Sequence, residues 1–207
     1  GVWQKHAGAI WKTQVGKGVT FHTLYQDGVR LRKARFPNYR DIPGFASAAG
    51  DYLVSESGSP EWKNKERTSW IVHEENLPLP GAADPATWRI NIFPWGKCDW
   101  HRWTAKVTGY DRAARRIDFD NEGDRTEMLG GARYFLEDDL AFLDAPGEFF
   151  LDAKSGTLYV IPLGGSEPGK GVFTGPRLLT LIRVQGTGRA AAAHHIRFEG
   201  LSLEETD

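Results

Sequence analysis

Apolar and polar residues alternate along most of this chain with a period of two, the spacing of strands that bury one face and wet the other. Residues 9–15 and 19–25 follow the pattern and predict two strands. Gln26-Asp27-Gly28 comes next, and Asp-Gly accepts the positive φ of a tight hairpin turn, so residues 29–36 are expected to pair back antiparallel. Pro37, Pro43 and Gly44 interrupt the alternation, and Phe36-Pro37-Asn38-Tyr39 opens an irregular loop. Further strands are predicted over residues 52–55, 69–74, 88–93, 100–108 and 115–119, with a Pro- and Gly-rich loop over 77–85. One short helix is expected over 138–143, where Asp138 and Asp139 suit the helix dipole and Pro146-Gly147 ends it. Residues 149–151 and 157–161 flank Asp152-Ala153-Lys154-Ser155-Gly156 as a second hairpin. Residues 178–184 and 195–203 are the last predicted strands. Short strands with regular turn signals and almost no helix predict an all-β fold, an antiparallel β-sandwich or barrel-like domain.

The last two strands carry an echo. Ile182-Arg183-Val184-Gln185-Gly186 returns as Ile196-Arg197-Phe198-Glu199-Gly200, and Leu201-Ser202-Leu203-Glu204 continues the alternation. Solenoid rungs bury their faces only by stacking on neighbours, so about three or more are needed for stability. Two echoes therefore predict the beginning of a repeat rather than the whole of one. The expected division is a β-domain over residues 1–176 and the first strands of a solenoid over 177–207. With Gly1 at the first position and Met128 the one methionine, the chain is expected to be a piece of a larger protein.

Composition bounds the class. A 207-residue chain is long enough to bury about 70% of its unfolded surface in a substantial core. The 26 basic and 27 acidic residues give a net charge of −1, so no long-range field draws the chain to nucleic acid or an anionic membrane. The lone Cys98 excludes an internal disulfide. No apolar run approaches the ~18 residues of a membrane-spanning helix. Eight Trp, eleven Phe, six Tyr and 24 Gly favour strands joined by Gly-rich turns.

Several fragments of known chemistry are incomplete. Gly164 to Gly171 has the spacing of a phosphate loop, yet Gly171 replaces the Mg²⁺-holding hydroxyl and Gly175-Pro176 prevents the following helix. Asp118, Asp120, Glu122 and Asp124 alternate as calcium ligands do, but Leu129 stands where a bidentate acid is required. His194 and His195 on one strand would point to opposite faces, and His73 with Glu74 and Glu75, or Asp99 with His101, lack a third partner, so surface or loop histidines are expected. Cys98 reads as a packed thiol. No metal, cofactor or catalytic residue is assigned, because none of the 27 acids is singled out as one of a pair.

The aromatic distribution carries more. Trp95-Gly96-Lys97-Cys98-Asp99-Trp100-His101-Arg102-Trp103 places three tryptophans in nine residues, and on a strand Trp100 and Trp103 face opposite sides, one to the core and one outward. Exposed Trp rings stack on sugar C–H faces, and His101 and Arg102 can bond hydroxyls. Trp95, Trp100, His101, Arg102 and Trp103 are thus candidate carbohydrate contacts, against the simpler reading that tryptophans fill volume in a large core.

Two long segments resemble the signatures of bacterial right-handed parallel β-helix proteins. Residues Tyr25 to Asn38 are similar to Y-x-N-G-x-R-L-x-x-A-R-x-P-N, with Asp27 for Asn. Leu143 to Asp152 and Lys154 to Tyr159 are similar to L-D-A-P-G-E-W-Y-L-D and T-G-T-L-Y, with Phe149-Phe150 for Trp-Tyr. His195 to Leu201 resembles the first rung, N-I-x-F-x-G-L, with His195 for Asn. The resemblance implies a secreted or periplasmic carbohydrate-active enzyme of the glycoside hydrolase type, in which a β-sandwich is inserted near the start of a parallel β-helix. It implies that residues 1–176 are that domain, that 177–207 begin the helix, and that the catalytic acids lie on later rungs. The implied partners are the rest of the parent β-helix and a polysaccharide. Arg30, Arg35 and Asn38 read as structural, Arg35 pairing with an acid and Asn38 capping the loop after Pro37. Two other functions stay open: a carbohydrate-binding module using exposed Trp, and a purely structural domain.

Overall fold

The computed structural model describes residues 1–38, 51–58, 68–73, 79, 84–93, 102–120, 130–165, 167–178 and 180–205. In chain order its strands are β1 (Gln4–Ala7), β2 (Ile10–Gln14), β3 (Tyr25–Gln26), β4 (Val29–Arg30), β5 (Arg32–Lys33), β6 (Arg35–Phe36), β7 (Leu53–Gly58) and β8 (Thr68–His73). They continue as β9 (Arg89–Phe93), β10 (Trp103–Asp111), β11 (Arg116–Asp120), β12 (Arg133–Glu137), β13 (Glu148–Asp152), β14 (Thr157–Ile161) and β15 (Phe173–Thr174). The helical content among the described residues is short 3-10 turns.

The choice between sandwich and barrel resolves in favour of a barrel with added sheets. Six strands run in the order β12-β7-β8-β11-β10-β9, and pairing of β12 with β9 closes the ring. Alternation does the work that the sequence advertised: Ile90 and Ile92, Ala105 and Val107, and Ile117 and Phe119 point inward, where Leu53, Ile71, Tyr134 and Leu136 join them in one buried cluster. Strand β12 escaped prediction because Tyr134, Phe135 and Leu136 are all buried, which erases the period of two. Outside the barrel lie a five-stranded sheet, β1-β2-β14-β13-β5, and a three-stranded one, β15-β3-β4. A second cluster of Phe21, Leu24, Leu31, Phe149, Leu158 and Val160 packs there.

The β3–β4 hairpin forms as predicted, with Asp27 and Gly28 at φ of 52° and 77°. The strand expected over 29–36 does not stay in one sheet. Leu31 and Ala34 are three positions apart and so face opposite ways on an extended chain. The fold buries each in a different cluster, Leu31 in the outer one and Ala34 in the barrel one. The chain therefore steps from the three-stranded sheet to β5, parallel to β13, and then to β6, antiparallel to β12.

Other expectations need correction. Of residues 19–25 only Tyr25 enters a ladder. The expected helix at 138–143 is a 3-10 turn, Leu140–Phe142, whose cap Asp139 accepts from Ala141 N. Among the described residues of 178–184 and 195–203 there is no strand; the described part of 177–207 has one isolated bridge, Gly188 with Ala191. Its apolar positions, Leu178, Ile182, Val184, Ile196, Phe198, Leu201 and Leu203, are 41% to 66% exposed. His195 takes a φ of 59°, so its ring meets that of His194 instead of facing away.

Candidate functional site

A cleft of about 900 Å³ opens beside the step from β4 to β6. The barrel supplies one wall by simple alternation. With Ile90 and Ile92 turned inward, Arg89 and Asn91 face out from β9, as do Phe135 and Glu137 from β12. Register aligns them, since Thr104 stands opposite Asn91 and Asn91 opposite Phe135, while Arg89 and Arg35 both pair with Glu137. Thr104 Oγ1 donates to Asn91 Oδ1 at 2.7 Å, and Asn91 Nδ2 donates to Glu137 Oε2 at 2.8 Å. The other wall is the crossing segment, contributing Arg30, Leu31, Arg32, Lys33 and Arg35, with His22 beside it. Lys33 is neutralised by Asp138 at 2.6 Å. Arg30, Arg89 and Arg102 are exposed and form no ion pair or side-chain hydrogen bond among the described residues.

Behind the cleft, the two signature segments meet in a buried polar cluster. Arg35 is 1% exposed, lies 3.7 Å over the Phe135 ring and donates to the Asp51 carbonyl. Asn38 Nδ2 donates to Asp144 Oδ1 at 2.8 Å, so Asn38 ties its loop to the second motif. Glu148 is fully buried, and its Oε2 accepts from the main-chain N–H groups of Ala145 at 3.2 Å and Asp144 at 3.4 Å. Loss of solvent, helped by the nearby Asp144 carboxylate, pushes the Glu148 carboxyl up to about 8, against the opposing pull of those N–H groups and of Arg35. Partial loss of solvent also raises the Asp144 carboxyl, although its residue is exposed, with the Asn38 bond opposing the shift. The fully buried Glu148 carboxyl cannot reach a polymer substrate, and its chemistry here is to hold a fold together.

Of the predicted sugar contacts, Trp95, Trp100 and His101 lie outside the described residues. Arg102 lines the cleft. Trp103 is half-buried and packs on the barrel core. His73 corrects the expectation of surface histidines: it is 2% exposed, with Nδ1 2.5 Å from Tyr134 Oη. Among the described residues no three His, Cys, Asp or Glu gather as a metal site, and no helix is long and apolar enough to cross a membrane. Sequence reasoning missed Arg32, Lys33, Arg89, Asn91, Thr104 and Glu137. The basic run at 30–35 was a visible signal, but its meeting with Arg89 and Arg102 depends on barrel register.

No family model matches the chain, and no curated protein matches it. Among solved structures it is similar to a protein described as a "Glycoside hydrolase", with a TM-score of 0.63 and 18% identity over 90% of this chain. At that identity the likeness is one of fold. The chain spans 32% of that protein, about a third of its length.

Proposed function

We propose that this chain is a non-catalytic accessory β-domain of a polysaccharide-degrading, glycoside hydrolase-like enzyme, and that it flanks the substrate cleft of a parallel β-helix. The observation that carries the reading is the fold likeness to one third of a glycoside hydrolase. The two signature segments packing on each other through Asn38 and Asp144 support it, as do the solvent-facing apolar residues of 178–203, which suit burial under further coils. In this reading residues 1–176 form the accessory domain, 177–207 lead into the β-helix, and the parent enzyme is secreted or periplasmic. The catalytic carboxylates then belong to the parent rather than to this chain.

Assays of the isolated chain on aryl glycosides and plant polysaccharides test it. The expected result is no turnover above the blank, whereas hydrolysis abolished by one Asp or Glu substitution in this chain overturns the reading. A second reading, direct glycan binding, is favoured by the polar, concave cleft.

A further inference from the structure

The cleft concentrates positive charge that the chain as a whole lacks. Net charge is −1 over all residues, yet among the described residues the cleft is lined by six Arg or Lys side chains and one acid, Glu137. Lys33 has its own carboxylate, Arg35 is buried, and Arg32 is half-buried with interactions of its own. Arg30, Arg89 and Arg102 remain as exposed guanidinium groups from three separate strands or their approaches, none of them ion-paired among the described residues, with Glu137 opposite Arg89 in the ladder as the one described acid of the lining. Converging like charges repel, a cost that is repaid when an anion sits among them. Guanidinium forks match carboxylate geometry with two parallel hydrogen bonds.

The rest of the lining narrows the ligand. Thr104, Asn91 and Glu137 form a hydrogen-bonded chain in which Thr104 Oγ1 and the Glu137 carboxylate keep lone pairs to accept from sugar hydroxyls. The Glu137 carboxylate opposes a densely charged polyphosphate, and the balanced net charge supplies no field to hold one. A volume of about 900 Å³ is within the range of ligand clefts, roughly 300–1,000 Å³.

We infer that this cleft is a binding subsite for an acidic polysaccharide, with Arg30, Arg89 and Arg102 receiving the carboxylate of a uronic acid and the Thr104–Asn91–Glu137 chain receiving its hydroxyls. The inference rests on the carbohydrate reading above and names the substrate class for it. Titration of the full 207-residue chain with oligogalacturonate, with its methyl ester, with xylo-oligosaccharide and with single-stranded DNA tests it, followed by calorimetry or affinity electrophoresis. Oligogalacturonate is expected to bind at least about tenfold more tightly than its neutral ester, weakening as salt rises through the physiological range. The combined variant Arg30→Gln, Arg89→Gln, Arg102→Gln should lose at least about tenfold of that affinity at an unchanged melting temperature. Each single variant, expected to lose part of it, serves if the combination unfolds. Equal binding of the ester, or binding untouched by the variants, overturns the inference, and so does tighter binding of DNA through the same arginines. Absence of binding by every probe overturns it too, while leaving the accessory-domain reading to its own hydrolysis test.

Discussion

Glu148 is the residue whose surroundings are most at odds with its chemistry. The folded chain holds its proton up to about 8, whereas an unfolded carboxyl releases it near 4.5. Between those values the native state binds the extra proton, so stability falls as pH rises through this window. The contribution is intact below the lower value and gone above the upper one, with a slope of up to about 1.4 kcal/mol per pH unit. Glu148→Gln keeps a neutral side chain of the same shape and should flatten that slope, as urea midpoints at about pH 5 and about pH 8.5 would read out. At this scale the sequence was partly legible. Arg35 and Asn38 stand out by motif, but the partner of Asn38 lies more than a hundred positions away, and the full burial that lifts Glu148 is set by the whole fold, which no local pattern encodes. Asp139 is a further case. It accepts from Trp88 Nε1 at 2.8 Å and Asp84 N at 2.7 Å while capping its own turn. Asp139→Ala leaves those donors unpaired and should cost about 2 to 4 kcal/mol by chemical denaturation.

Elements follow local pattern where one face is buried and depart from it where both are. The β3–β4 and β13–β14 hairpins were readable because Asp27-Gly28 and Gly156 supply positive φ at the turns. Strand β12 and the stepped path through β4, β5 and β6 were not, because burial there is set by three sheets at once. Gly156 has a second constraint beyond its φ of 72°: a Cβ there would collide with the backbone of Gly16 and Lys17. Gly156→Ala should therefore destabilise the chain by about 2 to 4 kcal/mol, more than a turn glycine facing solvent, in a denaturant titration. Gly28, with open space around its missing Cβ, is the matched control.

For the whole molecule, the charge balance concealed a local basic cleft, because a sum over residues says nothing about where they meet. The all-β class was legible from alternation, while barrel closure was not. Nor did the described residues of the echo near the end form strands, because alternation alone supplies no partner strand to pair with. Exposed Val184 and Phe198 should make the chain self-associate at high concentration. Val184→Asp with Phe198→Asp is expected to restore a monomer in sedimentation velocity without altering the melting temperature.

The ladder between β14 and β2 joins Thr157 to Gln14 and Val160 to Trp11. A nascent chain leaving the ribosome must therefore hold its first hairpin without an edge partner until nearly the whole domain has been synthesised. Truncated translation products lacking β14 would present that open edge to one another, an invitation to edge-to-edge association.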